Sequence, residues 1–150
     1  MTSFQDTTPV RMAIYESIVS RGAAPTVADV ALSLGLEAEA VAGAYRALAE
    51  GHVIVLEPGT LQVRWAPPFS TVSTPFRVSA RTGAARWYAP CAWDAFGIAA
   101  ALREDVAITA DCAFSGEPIV AGVHDLNAYG TGVIHLLVPA AHFWDDIGYT

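Results

Sequence analysis

Apolar residues in the first third of the chain recur every three or four positions, and the runs are separated by glycines. Met12, Ile14, Tyr15, Ile18 and Val19 fall on one helical face, and Arg21-Gly22 ends that segment. Thr26 is placed to cap a short second helix carrying Val27, Val30, Ala31 and Leu34, with Gly35 as its stop. A third helix over residues 37–50 presents Ala40, Val41, Ala44, Tyr45 and Leu48, and Gly51 closes it. The period then switches from helical to alternating. Residues 53–56 and 61–65 read as two strands around the turn Glu57-Pro58-Gly59-Thr60. Three helices followed by a two-stranded hairpin make a winged-helix-like module, expected over residues 1–66.

Pro67-Pro68 interrupts the pattern and marks the expected boundary with a second unit, residues 67–150. Strands are expected at Phe76 to Ala80 and Ala85 to Tyr88 around a turn at Arg81-Thr82-Gly83. Two more are expected at Val106 to Cys112 and Ile119 to Val123, around Ser115-Gly116-Glu117-Pro118. Between the two pairs, Cys91 to Arg103 reads as a helix that can bury Ala95, Phe96, Ala99 and Leu102. Beyond Tyr129-Gly130-Thr131-Gly132, the apolar run Val133 to Val138 reads as a further strand, and Pro139 opens a last helix through Ile147. The expected fold class is α+β, a helical front module on a mostly antiparallel sheet.

Composition narrows the function classes. Of the 150 residues 53% are hydrophobic and 15% charged, which suits an apolar pocket or a partner surface. No apolar run reaches the roughly 18 to 20 residues that span a bilayer, and the first residues do not read as a secretory signal, so a cytoplasmic protein without membrane contact is expected. The formal charge is −7, and every cation is arginine. That sign opposes phosphate backbones. The third helix, in the place of a recognition helix, offers Arg46 against Glu37, Glu39 and Glu50, which argues against a DNA-binding regulator. His52, His124, His135 and His142 are scattered without the spacing of a two-histidine metal motif. His135 is expected in the core or a pocket wall, and Asp111 as a turn cap.

Chemistry concentrates in Arg86-Trp87-Tyr88-Ala89-Pro90-Cys91-Ala92-Trp93-Asp94. With a strand ending at Pro90, Cys91 falls in the first turn of a helix, where unpaired N–H groups and the helix dipole are expected to lower its pKa. Asp94, three residues on, shares its face. A thiolate beside a carboxyl disfavours ionisation of both, so the carboxyl is expected to keep a proton as a general acid does. The plain alternative is a buried cysteine followed by an ordinary first-turn aspartate.

The run Trp87-Tyr88-Ala89-Pro90-Cys91-Ala92-Trp93-Asp94 resembles the organomercurial (alkylmercury) lyase motif, in which a tyrosine-alanine pair precedes Cys-Ala-x-Asp. Cys112-Ala113-Phe114-Ser115-Gly116-Glu117-Pro118 is similar to that family's Cys-Ala-x-x-Gly-x-Pro segment, and Gly132 to Pro139 resembles its next core strand. The resemblance implies that Cys91 is a catalytic thiolate that binds mercury, as substrate or product, and that Asp94 delivers the proton releasing the carbon group. It treats Cys112 as a core residue and calls for no cofactor; Tyr88 and Trp93, which flank the reactive pair in sequence, are expected as substrate-binding pocket walls, with Tyr88 able to hydrogen-bond a substrate. The family's second catalytic cysteine would fall within Asp145 to Thr150, where none stands, so a shortened or divergent member is implied. Three functions fit: protonolysis of a carbon–mercury bond, a repurposed Cys/Asp enzyme acting on another small molecule, or a non-catalytic or regulatory subunit. In the last case a homo- or hetero-oligomer would complete an open sheet edge.

Overall fold

The computed structural model describes residues 6–81, 83 and 86–149. Thr82, Ala85 and Thr150, which bear on the first expected turn, the second expected strand and the second cysteine position, lie outside the described residues. Among those described, the chain forms four α-helices and an eight-stranded, wholly antiparallel sheet, an α+β fold.

The front of the chain follows its punctuation. Helix α1 (Thr8–Arg21) ends where Gly22 takes a left-handed φ of 71°. Helix α2 (Val27–Leu34) starts on a capping box: the Thr26 hydroxyl accepts the Asp29 N–H, and the Asp29 carboxylate accepts the Thr26 N–H. Helix α3 (Ala38–Glu50) buries Val41, Ala44, Tyr45 and Leu48 against Ile14, Ile18 and Val30. The Tyr45 hydroxyl, sealed in that core, donates to the Pro25 carbonyl at 2.9 Å.

Strands β1 (Val55–Leu56) and β2 (Val63–Ala66) form the expected hairpin, and β2 then pairs with β3 (Phe69–Ser70). Pro67-Pro68 therefore makes a tight turn between paired strands, with a cis bond, so the sheet continues unbroken across it. Next come β4 (Phe76–Ala80), β5 (Arg86–Ala89), α4 (Ala92–Leu102), β6 (Val106–Asp111), β7 (Pro118–His124) and β8 (Asn127–Gly130). The sheet order is β1-β2-β3-β5-β4-β6-β7-β8. Alternation selects the buried face: Val78, Ala80, Trp87, Ala89, Val106, Ile108 and Ala110 all turn inward. Helix α4 covers this face with Ala95, Ile98 and Ala99. The Trp87 indole N–H donates to the Val19 carbonyl at 3.1 Å and joins the sheet to α1.

The last quarter departs from the expected pattern. Asn127–Gly130 pairs as a strand where no element was expected. Val133 to Val138 forms no strand, and Val133 is 93% exposed. Gly130 and Gly132 adopt φ of 127° and 124°, a region that side-chain-bearing residues avoid, and the chain leaves the β8 edge there. His135 is correspondingly exposed, neither core nor pocket wall. In place of a final helix there is a single 3₁₀ turn, Ala140–His142, followed by further turns to Tyr149. This segment is fastened to the front module by the His52 imidazole, stacked on the Trp144 indole with centroids 4.1 Å apart and planes 2° from parallel.

Candidate active site at the start of helix α4

Cys91 is the N-cap of α4, one position before its first turn, in extended backbone (φ −148°, ψ 178°). Its sulfur accepts the Asp94 N–H at 3.5 Å, and its thiol donates to Asp94 Oδ2 at 3.4 Å. The same exchange occurs in the Thr26–Asp29 box, with sulfur here replacing oxygen. Gly97 sets the distance between this helix and the rest of the sheet. A Cβ there would lie 3.0 Å from the Pro68 ring, so glycine lets α4 close onto the β2–β3 turn. That approach brings Cys91 and Asp94 to the same cavity wall as Trp65 and Pro67.

The cavity holds about 220 Å³. Pro90 and Trp93 line the α4 side, while Leu136, Phe143, Trp144 and Ile147 close it from the C-terminal segment. Cys91 is its single cysteine, and no arginine or histidine lines it.

Burial decides the protonation chemistry. It pushes the Cys91 thiol above its ordinary value of 9.0; the Asp94 N–H opposes the rise, and the Asp94 charge and hydrogen bond add to it. The expected lowering by the helix start is therefore overturned. Dipole and N–H assistance at a helix terminus is worth at most about 1–2 kcal/mol, and desolvation of the thiolate outweighs it here. Asp94 is raised above 3.8, as expected for an acid, chiefly through its own burial, with the hydrogen bond from Cys91 pulling the other way. The influence of Asp94 extends to Tyr15. Burial raises the Tyr15 hydroxyl, Arg11 opposes that, and the Asp94 charge adds to it.

Of the residues singled out by sequence, Cys91, Asp94 and Trp93 meet at this cavity. Tyr88 does not: it alternates with Trp87 and Ala89 on β5 and points to the other face, among Arg77, Arg86 and Thr109. Cys112 is neither core nor cavity wall. It follows β6 in a tight turn, where its N–H donates to the Glu117 carbonyl and its carbonyl accepts the Gly116 N–H. The Ser115 hydroxyl, with the N–H groups of Ser115 and Phe114, holds the Cys112 thiol below its ordinary value. Asp111 lies 3.8 Å from the Arg77 guanidinium across β4 and β6. Sequence reasoning missed Trp65 and the four C-terminal wall residues. Their apolar character was visible, but their meeting at Cys91 depends on the Pro67-Pro68 turn and on the path of the chain after β8.

The alkylmercury lyase family model matches residues 69–150, more than half of the chain. Among solved structures, the fold is similar to the mercury-bound form of MerB2, with a TM-score of 0.68 and 26% identity. That alignment covers 85% of this chain and 60% of the other, so the chain spans about three fifths of the length of that relative. No curated protein matches the chain. The motif at Cys91, the fold around it and the family match converge: the chain belongs to the alkylmercury lyase family.

Proposed function

We propose that this protein cleaves carbon–mercury bonds by protonolysis, with Cys91 as the mercury-binding sulfur and Asp94 as the proton donor. The observation that carries the reading is a thiol 3.4 Å from a carboxyl whose pKa is raised by burial, inside an apolar cavity. Mercury is a soft ion that binds thiolate strongly enough to displace the thiol proton, so a raised thiol pKa does not prevent capture. The organomercurial exchanges its outer ligand for Cys91 sulfur, and the displaced ligand leaves with the thiol proton.

Capture also prepares the acid. The thiol hydrogen bond is what lowers the Asp94 pKa, and metallation of the sulfur removes that donor. Asp94 then holds its proton more firmly until the carbon accepts it. The carbon–mercury bond breaks, the hydrocarbon departs, and mercury stays on Cys91 beside the Asp94 carboxylate. Because the cavity contains one sulfur, a small exogenous thiol is the ligand expected to remove the metal.

Incubation with phenylmercury, with benzene measured by gas chromatography, tests this directly. Cys91→Ser is expected to end both capture and cleavage. Asp94→Ala is expected to retain mercury on Cys91 while cleavage falls about 10²- to 10⁴-fold, the usual contribution of a positioned acid. Benzene release that survives Cys91→Ser would refute the assignment.

A further inference from the structure

The polar tips of the aromatic residues around the core are satisfied by backbone carbonyls. Tyr15 donates to Pro67 at 3.0 Å and also reaches Val53, Tyr45 donates to Pro25, and Trp87 donates to Val19. Trp65 departs from this pattern. Among the described residues its Nε1 is the one buried side-chain nitrogen or oxygen without a hydrogen-bond partner. Trp65 is also a wall of the Cys91–Asp94 cavity. One face of its ring is covered by the Arg64 guanidinium, 5.2 Å from the centroid. A buried donor left unpaired forfeits its hydration with no return, so such groups in folded proteins call for an explanation.

No wall residue bonds Trp65 Nε1: the side chains of Pro67, Leu136, Phe143 and Ile147 are hydrocarbon, and Oδ2 of the Asp94 carboxyl is engaged with Cys91. The cavity is also large enough for more than a bare ring. An apolar space of about 150 Å³ accommodates benzene, and this one measures about 220 Å³. No cation lines it, so a substituent bearing negative charge would enter without a counter-charge.

We propose that Trp65 determines specificity: its indole N–H donates to a neutral oxygen acceptor carried by the carbon group of an organomercurial held on Cys91. The inference rests on the lyase reading above and names the substrate class, aryl groups with an uncharged acceptor in preference to bare aryl groups. The Trp65 Nε1 atom is sealed from solvent, so the proposal requires that a bound substrate shift the wall enough to uncover the indole edge. The hydrogen bond then replaces a desolvation cost already borne by the empty site, which is how a buried donor discriminates against ligands that cannot satisfy it.

The test compares phenylmercury with 3- and 4-acetylphenylmercury in the wild-type protein and in Trp65→Phe, which keeps an aromatic wall and deletes the donor. The wild type is expected to favour one acetyl isomer about tenfold in kcat/KM, and Trp65→Phe to bring that ratio to about one. A second arm needs no turnover. In ¹⁵N-labelled Asp94→Ala protein, the Trp65 indole N–H signal, assigned by its loss in Trp65→Phe, is expected to move downfield with the acetyl probe and not with phenylmercury. An unchanged ratio in Trp65→Phe, or the same indole response to both probes, would overturn the inference and leave the lyase reading standing. If neither probe is cleaved by the wild type, the lyase reading fails and the indole signal still decides the role of Trp65. Failure of both probes to bind overturns both.

Discussion

Helices α2 and α4 begin alike: each has an N-cap side chain that accepts the N–H of an aspartate three residues on, and each has that aspartate reaching back. At α2 the pair is Thr26 and Asp29, on the surface, and the Thr26 hydrogen bonds hold the Asp29 carboxyl below its ordinary value. At α4 the pair is Cys91 and Asp94, beneath a wall of aromatic and aliphatic side chains, and burial raises both groups. Spacing and hydrogen-bond pattern are shared. The differences are sulfur in place of oxygen and the partial burial of the pair. A four-residue motif therefore does not by itself make a site; the same device is a helix cap in water and an acid–thiol pair in a cavity.

Exchanging the two devices should separate these contributions. The largest effect is expected for Cys91→Thr, which converts the α4 box into the α2 type. Phenylmercury cleavage should fall at least about 10³-fold, as when a nucleophile is deleted, while circular dichroism and melting temperature stay close to wild type. Next is the order of thiol reactivity. Iodoacetamide at neutral pH should modify Cys112 about tenfold or more faster than Cys91, since one thiol is held below its ordinary value in an exposed turn and the other above it, half-buried in a cavity. Peptide mass spectrometry reads both sites in one experiment. Faster labelling of Cys91 would contradict the burial argument.

Smaller effects concern stability. Thr26→Ala removes an N-cap and should cost about 1 kcal/mol, or about 2–4 °C in Tm, without changing cleavage. The two aspartates should then differ in sign. Asp29 has a folded pKa below 3.8, so its contribution is present above that value and is lost as pH falls through the folded pKa. Asp94 has a folded pKa above 3.8, so its contribution is full below that value and declines as pH rises through the folded pKa. At pH 7, Asp29→Asn should lower Tm and Asp94→Asn should raise it, the latter by about 2 °C. Both differences should shrink in acid. Thermal melts between pH 3 and 7 decide the matter, and shifts of the same sign would contradict the opposite roles of the two aspartates.

What could be read from the sequence was local. Gly22, Gly35, Gly51 and Thr26 end or begin helices through their own backbone preferences, so the front elements were legible from one-dimensional pattern. Cys91 and Asp94 were legible for the same reason, because a helix start brings residues three apart together. The direction of the Cys91 pKa was not legible. It depends on burial in a cavity whose walls include Leu136, Phe143, Trp144 and Ile147, more than forty residues away, and no spacing records that. Val133 to Val138 misled because an apolar run suits a strand equally well whether or not an edge accepts it. Gly130 and Gly132 take the chain off that edge.

The most direct test of the central claim is a single turnover in deuterium oxide, with phenylmercury and a stoichiometric amount of Cys112→Ser protein. The account predicts one singly deuterated benzene per protein molecule, inorganic mercury free of its phenyl group on the Cys91 peptide, and both products delayed together in Asp94→Asn. Phenylmercury that remains intact on Cys91, or deuterated benzene formed at the wild-type rate without Asp94, would contradict it.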